Sequence, residues 1–380
     1  MNVMQIAAQT ITAEKLATPE TPVLLMVSGG SDSTALAYIA KALRQAEKIG
    51  PVAMLHVNHK LRGADADTDA AFVAELADLL EIPLFSCDID IPALVEQEKG
   101  NMEAIARRER YAAAREALTS LCRHEGVPVS EGRIFTAHTA DDRVENFYMR
   151  SIVGTGPGGF RSMLYLNGQV ARPLLDLGRQ DLRDFIKSLG DAALFDAAGN
   201  PWREDATNEH TDRFRAFVRA EMIPQAKERN PQLLQTLTRT MNLIADEDDM
   251  LNKQTQKLEA DLVAWASIVP GALPEYEEGC VISPDLGVWP IPMRRRLVAR
   301  VLGEVLGTEA RVETASVEAV LAAWEDDAAP AADGACAPHS GAHVIGGYVA
   351  NIQGNLAVSA NKHGVRIEPM ATFRARRKRI

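Results

Sequence analysis

The chain has 380 residues, 46% of them hydrophobic and 24% charged, which gives room for two or three domains and excludes the disordered and fibrous classes. No apolar run is long enough to cross a bilayer, and the opening MNVMQIAAQT lacks a basic region followed by a continuous apolar segment, so we expect a cytoplasmic protein with no membrane partner. The formal net charge of −11 speaks against a nucleic-acid partner as a bulk property and leaves that question to local basic patches. Cys87, Cys122, Cys280 and Cys336 are widely separated and form no CxxC pair, which suggests neither a zinc cage nor a disulfide framework and points to reduced, mostly structural thiols.

Val23 to Val27 (VLLMV) is a short continuous apolar run and predicts a strand buried on both faces of a parallel sheet. A glycine-rich turn follows, and then Leu36, Ile39, Ala40 and Leu43 recur at helical spacing over Thr34 to Ile49. The alternation continues with a strand over Val52 to Val57, a helix over Asp67 to Leu80 and a strand over Leu84 to Cys87. A helix over Met102 to Leu121 and a strand over Ile134 to Ala137 complete it. Such an order predicts an α/β fold with a doubly wound, mainly parallel, Rossmann-like sheet. Ligands in that fold bind at the carboxyl ends of the strands, here the loops after Val27, Val57 and Ala137.

The GTGPGGF segment after Val153 breaks the alternation, and helical patterns follow over Gln180 to Leu189 and Arg213 to Ile223. Pro224 and Pro231 punctuate the chain, and Leu233, Leu234, Leu237, Met241 and Ile244 mark the apolar face of a further helix. We therefore expect a catalytic domain over 1–224, a helical domain over 225–325, an Ala/Pro/Gly-biased linker over 326–341 and a small β-rich piece over 342–380. Two basic patches stand out: Arg294, Arg295 and Arg296, and the tail FRARRKRI with five basic residues between Arg374 and Arg379.

The loop Ser28-Gly29-Gly30-Ser31-Asp32-Ser33 joins the first strand to the first helix of the alternation. Backbone N–H groups and the positive end of a helix dipole there answer the charge of a triphosphate. Gly29 and Gly30 permit a tight turn and close approach, while Ser28, Ser31 and Ser33 add hydroxyl donors. Asp32 suits an anion site only by facing a cation, which we assign as Mg²⁺ bridging phosphate oxygens. No GK[ST] follows and the pattern is not GxGxxG, so this is neither a Walker A loop nor a dinucleotide turn. The competing reading is a generic Gly/Ser turn with a capping side chain.

SGGSDS after an apolar strand resembles the signature of the PP-loop, or N-type, ATP pyrophosphatases, which implies cleavage of ATP between its α and β phosphates. Further segments resemble the tRNA(Ile)-lysidine synthase family within that superfamily. His56-Val57-Asn58-His59-Lys60-Leu61-Arg62 is similar to its HVNHxLR segment, and Ala106-Arg107-Arg108-Glu109-Arg110-Tyr111 to its ARxxRY helix. Thr136 to Asn146 (TAHTADDRVEN) is similar to TAHHxDDQxET, Arg172 to Leu175 to RPLL, and Trp202 to Asn208 to WxEDxSN. Any one segment is unspecific; the set in this order, covering about Val23 to Pro224, is specific.

The residues carry chemistry of their own. His138 ends a strand at the rim where ligands belong, and Asp142 and Glu145 stand three apart on the helix that follows. They form an acidic cluster suited to Mg²⁺ or to a substrate amine, the alternative being an acidic first turn that complements the helix dipole. For His138 the alternative is a hydrogen-bonded structural histidine. From the resemblance, Arg107 is implied as a fixed positive charge against the α-phosphate. His56 and His59 are expected to shape the nucleotide pocket or to serve structure. Glu204, Asp205 and Asn208 are expected near the substrate, and Arg215 and Arg219 either as RNA phosphate contacts or as a solvated helix face.

The resemblance implies ATP-dependent ligation of L-lysine to C2 of the wobble cytidine of a tRNA(Ile) with a CAU anticodon, through an adenylated tRNA, with ATP and Mg²⁺ as cofactors. Catalytic roles fall to Asp32, Arg107, His138 and Asp142. Lysine or tRNA contacts fall to Asp142, Glu145, Arg215 and Arg219, and the two basic patches would hold the tRNA body. The chain departs from the family at Thr139, Arg143, Asn146 and Ala216, which bears on the geometry of the lysine pocket. A PP-loop tRNA thiolase and a catalytically weakened ATP-binding protein are the rival readings, and the sequence leaves a homodimer open.

Overall fold

A computed structural model describes residues 2–60, 64–204, 213–265, 279–307, 310–324 and 343–378. The segments Leu61-Arg62 and Asp205 to Asn208, the expected linker 326–341 with Cys336, and Arg379 lie outside the described residues. The chain divides into two compact units, Met1–Ala245 and Asp246–Ile380.

The first unit opens with α1 (Val3–Ala13), β1 (Val23–Met26), α2 (Ser31–Gln45), β2 (Val52–Asn58), α3 (Ala64–Leu80) and β3 (Leu84–Asp88). It continues with α4 (Ile91–Glu98), α5 (Met102–Glu125), β4 (Arg133–Phe135) and α6 (Ala140–Val153). The strands β5 (Leu166–Asn167) and β6 (Val170–Ala171) follow, then α7 (Arg179–Ser188). The sheet order is β3-β2-β1-β4-β6-β5, parallel throughout except for β5, which turns back antiparallel on β6. Chain direction across the sheet reverses between β1 and β4, so the loop after β1 leaves at the topological switch point.

Alternation along β1 serves two cores. Val23 and Leu25 join the cluster containing Leu36, Ile39 and Leu43 of α2 and Leu182 and Ile186 of α7. Leu24 faces the other way, with Ala53, Leu55 and Ile134, against Ala114, Leu118 and Leu121 of α5. Burial on both faces is the physical reason for the uninterrupted apolar run in β1 and for Val52 to Leu55 at the start of β2.

Beyond the sheet come α8 (Arg213–Phe217), a π-helical turn (Val218–Met222), α9 (Ile223–Arg229) and α10 (Leu233–Leu262). Val144 of α6 packs with Val218, Ile223, Leu233 and Met241 in a core of its own. Pro224 was expected to interrupt the chain; instead helix runs up to it through the π turn, and its missing N–H falls at the first turn of α9.

The second unit holds β7 (Val263–Trp265), β8 (Cys280–Ile282), α11 (Ile291–Leu306), α12 (Thr314–Leu321), β9 (Val349–Ile352), β10 (Leu356–Asn361), β11 (Gly364–Pro369) and α13 (Met370–Arg377). Here the structure departs from the expected boundaries at 224 and 326. Strands β7 and β8, inside the expected helical domain, pair antiparallel into one sheet of order β7-β8-β11-β10-β9 with strands of the expected end piece. Leu297, Val301, Val317 and Val320 of its helices share one core with Val358, Val365 and Ile367 of that sheet. Up to Arg377 the basic tail is the helix α13, seated by Phe373 and by the Arg376–Glu368 pair at 2.5 Å.

Candidate active site at the carboxyl ends of the parallel strands

The loop after β1 is built to leave donors free. Gly29 takes φ +92°, a conformation that strains any residue with a Cβ. Its carbonyl accepts from the Thr34 hydroxyl at 3.1 Å and from the Arg203 N–H at 2.9 Å. The Ser33 hydroxyl donates to the Gly30 carbonyl and accepts from the Ser28 N–H at 3.2 Å. Gly30 caps α2 with no side-chain hydrogen bond, so the first N–H groups of that helix remain available to an anion. Ser31, read from the sequence as a loop hydroxyl, is the first residue of α2.

His56 lies beneath this loop. Its Nδ1 stands 2.9 Å from the Val27 carbonyl, which can only accept, so the proton is on Nδ1 and the ring braces the strand end. His59 is half-buried, with Nδ1 unpartnered among the described residues. Burial, with Arg110 and His56 beside it, pushes its pKa down to about 4.

Around the loop, charges of both signs converge. Asp142 is the third residue of α6, and its Oδ2 accepts from the Thr139 N–H at 2.8 Å and the Thr139 hydroxyl at 3.0 Å, a capping box. Its Oδ1 accepts from Arg179 at 3.2 Å and Arg215 at 2.9 Å. Glu145, one turn on and 1% exposed, receives Arg215 Nε and Arg219 Nε, each at 2.7 Å. Burial opposes the charge of Glu145, but the bonds from Arg219 and Arg215 outweigh it and hold its carboxyl below the usual range. Asp32 Oδ2 accepts from Arg179 Nε at 3.1 Å, and Oδ1 from the Ser31 hydroxyl. Desolvation raises the Asp32 pKa despite the pull of Arg179.

Arg179 is therefore the hub, within 3.1 to 3.6 Å of Asp32, Asp142 and Glu145. Burial works against its charge, yet Asp142, Asp32 and Glu145 together raise its pKa. The sequence reading missed it, because an arginine at the start of an amphipathic helix reads as solvated. Arg203 was missed as well. It lies across Gly29 and pairs with Asp69 at 2.9 Å and Asp196 at 3.0 Å, strapping the chain before residue 205 onto the phosphate loop.

His138 closes the cluster. Its Nδ1 is 2.9 Å from the Thr136 hydroxyl. Burial drives its pKa down to about 4, and Arg172, Arg107 and Arg215 reinforce that against the opposing pull of Asp142. Arg107 is exposed on α5, with its guanidinium 5.1 Å from the centre of the Tyr111 ring. The structure thus brings Asp32, His138, Asp142, Glu145, Arg215 and Arg219 together, with the charge of Arg107 felt at His138. Arg215 and Arg219, expected as phosphate contacts or a solvated face, instead pair with Glu145 and Asp142.

Among the basic patches, the Arg294 run is engaged within its own unit. Arg294 is buried and stands 5.9 Å from the Trp324 ring centre, Arg295 pairs with Glu318 at 2.7 Å and Arg296 with Asp248 at 2.6 Å. Arg374, Arg377 and Lys378 of α13 and its end are exposed. No helix among the described residues is long and apolar enough to cross a membrane.

A family model described as a PP-loop domain matches residues 2–226. Over 80% of its length the chain is 30% identical to a tRNA(Ile)-lysidine synthase of Geobacter sulfurreducens, of which it covers 59%. Over 77% it is 33% identical to one of Thermus thermophilus, of which it covers 51%. Over 79% it is 30% identical to one of Dehalococcoides mccartyi, of which it covers 60%. The chain thus spans between half and two thirds of the length of these relatives. The match over more than half of the chain falls on the unit whose loop after β1 presents uncapped helix N–H groups at the switch point, and the chain belongs to the PP-loop family.

Proposed function

We propose that this chain adenylates the wobble cytidine of a tRNA(Ile) with a CAU anticodon and ligates L-lysine to its C2, releasing pyrophosphate and AMP and leaving lysidine. The observation that carries the reading is the contact between the phosphate loop and the acidic helix: Asp32 and the Asp142–Glu145 pair face one another through a single guanidinium. That puts an anion-binding loop and carboxylates suited to an amine at one strand-end site. The names of the relatives support the choice of tRNA and lysine.

In this reading the cytidine O2 attacks the α-phosphorus of ATP and pyrophosphate departs into the loop of Gly29 and Gly30. The uncapped N–H groups of α2 stabilise the charge that accumulates there. Arg107, exposed and free to reach, offsets charge on the α-phosphate. Asp142 Oδ1 and Glu145 then hold the side-chain ammonium of lysine; a proton passes from it to the Asp142 carboxylate, the freed nitrogen attacks C2, and the C2–O bond breaks as AMP leaves. His138 is uncharged at neutral pH and accepts a hydrogen bond without adding a cation beside the amine. Adenylation converts an amide-like oxygen into a leaving group, and the protein contributes mainly positioning.

Asp32 fits a magnesium site of the one-carboxylate kind that relies on phosphate oxygens for its other ligands, since its side chain is 21% exposed and borders the loop. Magnesium held there would neutralise charge on the pyrophosphate. The test is incubation of the protein with ATP, Mg²⁺, labelled lysine and a CAU-bearing tRNA(Ile) transcript. Label in that RNA is the expected result. A folded, ATP-binding protein that never transfers label would remove the reading.

A further inference from the structure

Asp32, Asp142 and Glu145 are matched one for one by Arg179, Arg215 and Arg219. A cationic lysine side chain therefore meets no uncompensated carboxylate. Asp142 Oδ2 is already taken by both donors of Thr139, and its remaining oxygen is shared by Arg179 and Arg215. Bringing a fourth cation among three guanidiniums costs more than the carboxylates return, unless one guanidinium leaves.

Arg179 is the one fitted to leave. Its contacts, at 3.1, 3.2 and 3.6 Å, are longer than the 2.7 Å bonds of Arg215 and Arg219 to Glu145. Of the three it alone touches the phosphate loop, through Asp32. Its backbone is fixed independently, at the start of α7, by the N–H bond to Asp141 Oδ2 at 2.7 Å, so the side chain can swing without disturbing the helix. One turn on, Arg183 Nε lies 3.4 Å from the Ser31 hydroxyl, so the same helix lines the loop with positive charge. Phosphates seated on α2 would offer Arg179 a denser negative charge than the carboxylates it bridges.

Resting on the function proposed above, we infer that Arg179 is a resident counter-ion on the lysine-binding carboxylates, drawn off by ATP, so that nucleotide binding opens the site to lysine. Arg179 is then a positioning residue that enforces order: ATP first, lysine second. By linkage, lysine tightens nucleotide binding by the same factor that nucleotide tightens lysine.

The experiment measures the affinity of labelled L-lysine for the full chain by equilibrium dialysis, with and without a non-hydrolysable α,β-methylene ATP analogue and Mg²⁺. It is run on wild type, R179Q and R179K, after thermal melts establish which variants fold. Wild type is expected to bind lysine at least about tenfold more tightly with the analogue, a coupling within the ordinary range for linked sites. R179Q is expected to bind lysine without the analogue to within about threefold of its affinity with it, and R179K to keep the wild-type dependence. Lysine binding to wild type that ignores the nucleotide overturns the inference and leaves the proposed function standing; this arm decides even if R179Q does not fold. An R179Q that folds but binds lysine poorly under both conditions also overturns it, because Arg179 would then serve lysine directly. Absence of lysine binding by wild type and both variants in every condition overturns the inference and the proposed function together.

Discussion

The Thr139 hydroxyl donates to Asp142 Oδ2 at 3.0 Å, and the Thr139 N–H to the same oxygen at 2.8 Å, which leaves Asp142 Oδ1 alone to face the arginines. Threonine stands where the resemblance expects histidine, so this chain uses a helix cap to aim its site carboxylate. Removing the hydroxyl in T139A should cost about 1 kcal/mol, as lost caps do, and lower the melting temperature by about 2–4 °C for a unit of this size. The Asp142 carboxylate would also be freed to rotate, and the KM for lysine is expected to rise several-fold while ATP affinity holds. T139S should restore both. A T139A enzyme with unchanged lysine KM would separate the cap from the aim of the carboxylate.

Glu145 is 1% exposed and bonded to two guanidiniums. Replacing one partner of such a buried arrangement strands the others, a loss of about 3–5 kcal/mol in comparable cases. We expect E145Q to shift the urea midpoint strongly and to abolish lysine incorporation. R215A, at a side chain 36% exposed, should be milder in stability, since water can take over part of what the carboxylate loses. Equal shifts from the two variants would contradict the burial argument.

Stability should fall with pH in a window set by two histidines. His138 and His59 both titrate at about 4 in the folded protein, against about 6.5 when unfolded. The unfolded chain therefore binds more protons between pH 6.5 and 4. Their contribution is full above pH 6.5 and is lost as pH falls towards 4. Urea melts of wild type and H138Q at pH 7 and pH 4.5 check the sign: the variant should lose less stability across that interval. An identical loss would mean that His138 is free to protonate in the folded state.

How much of this was readable follows from where each signal resides. The strand β1 declared itself because burial on both faces demands an unbroken apolar run, as did the apolar start of β2 over Val52 to Leu55, and β1 carried the phosphate loop with it. The start of α2 moved back from Thr34 to Ser31 because Gly30 caps the helix with no side-chain bond to advertise it. Strands β7 and β8 are three residues each and exist through pairing, β8 with a partner 83 positions further on (Ile282 with Val365). No local pattern encodes that, and so the helical and β-rich parts looked separate. Asp142 and Glu145 were singled out because motif and helix spacing agree, and they do share one face of α6 toward the arginines. Arg179 and Arg203 were not, because the partners that tie them to the site are distant in sequence: Asp32 for Arg179 and Asp69 for Arg203. The arginine run at 294–296 shows the converse: local charge density said nothing of Asp248 and Glu318, with which Arg296 and Arg295 pair.

Arg143 gives the last test, because it departs from the family's glutamine and yet lies outside the carboxylate cluster. It is 1% exposed, donates to the Tyr165 hydroxyl at 3.0 Å and to Asn242 Oδ1 at 2.8 Å, and lies 5.1 Å from the centre of the Tyr165 ring. Its charge is answered at one remove: the Tyr165 hydroxyl donates to Asp176 Oδ1 at 2.5 Å, and Thr10 secures the other oxygen of Asp176 at 2.8 Å. Burial and Asp176 raise the Tyr165 pKa, so the phenol stays protonated and the chain of donors runs one way. Truncation in R143A leaves a cavity and takes from Asn242 Oδ1 its guanidinium donor, while the Tyr165 hydroxyl keeps Asp176 and the Asn242 amide, and should cost about 3 kcal/mol. R143Q keeps an amide donor, removes a buried charge whose Nε has no partner among the described residues, and should come within about 1 kcal/mol of wild type. Both variants should keep the wild-type KM for lysine. A raised lysine KM in R143Q at preserved stability would instead make this network part of the pocket, and the departure from glutamine a change in function.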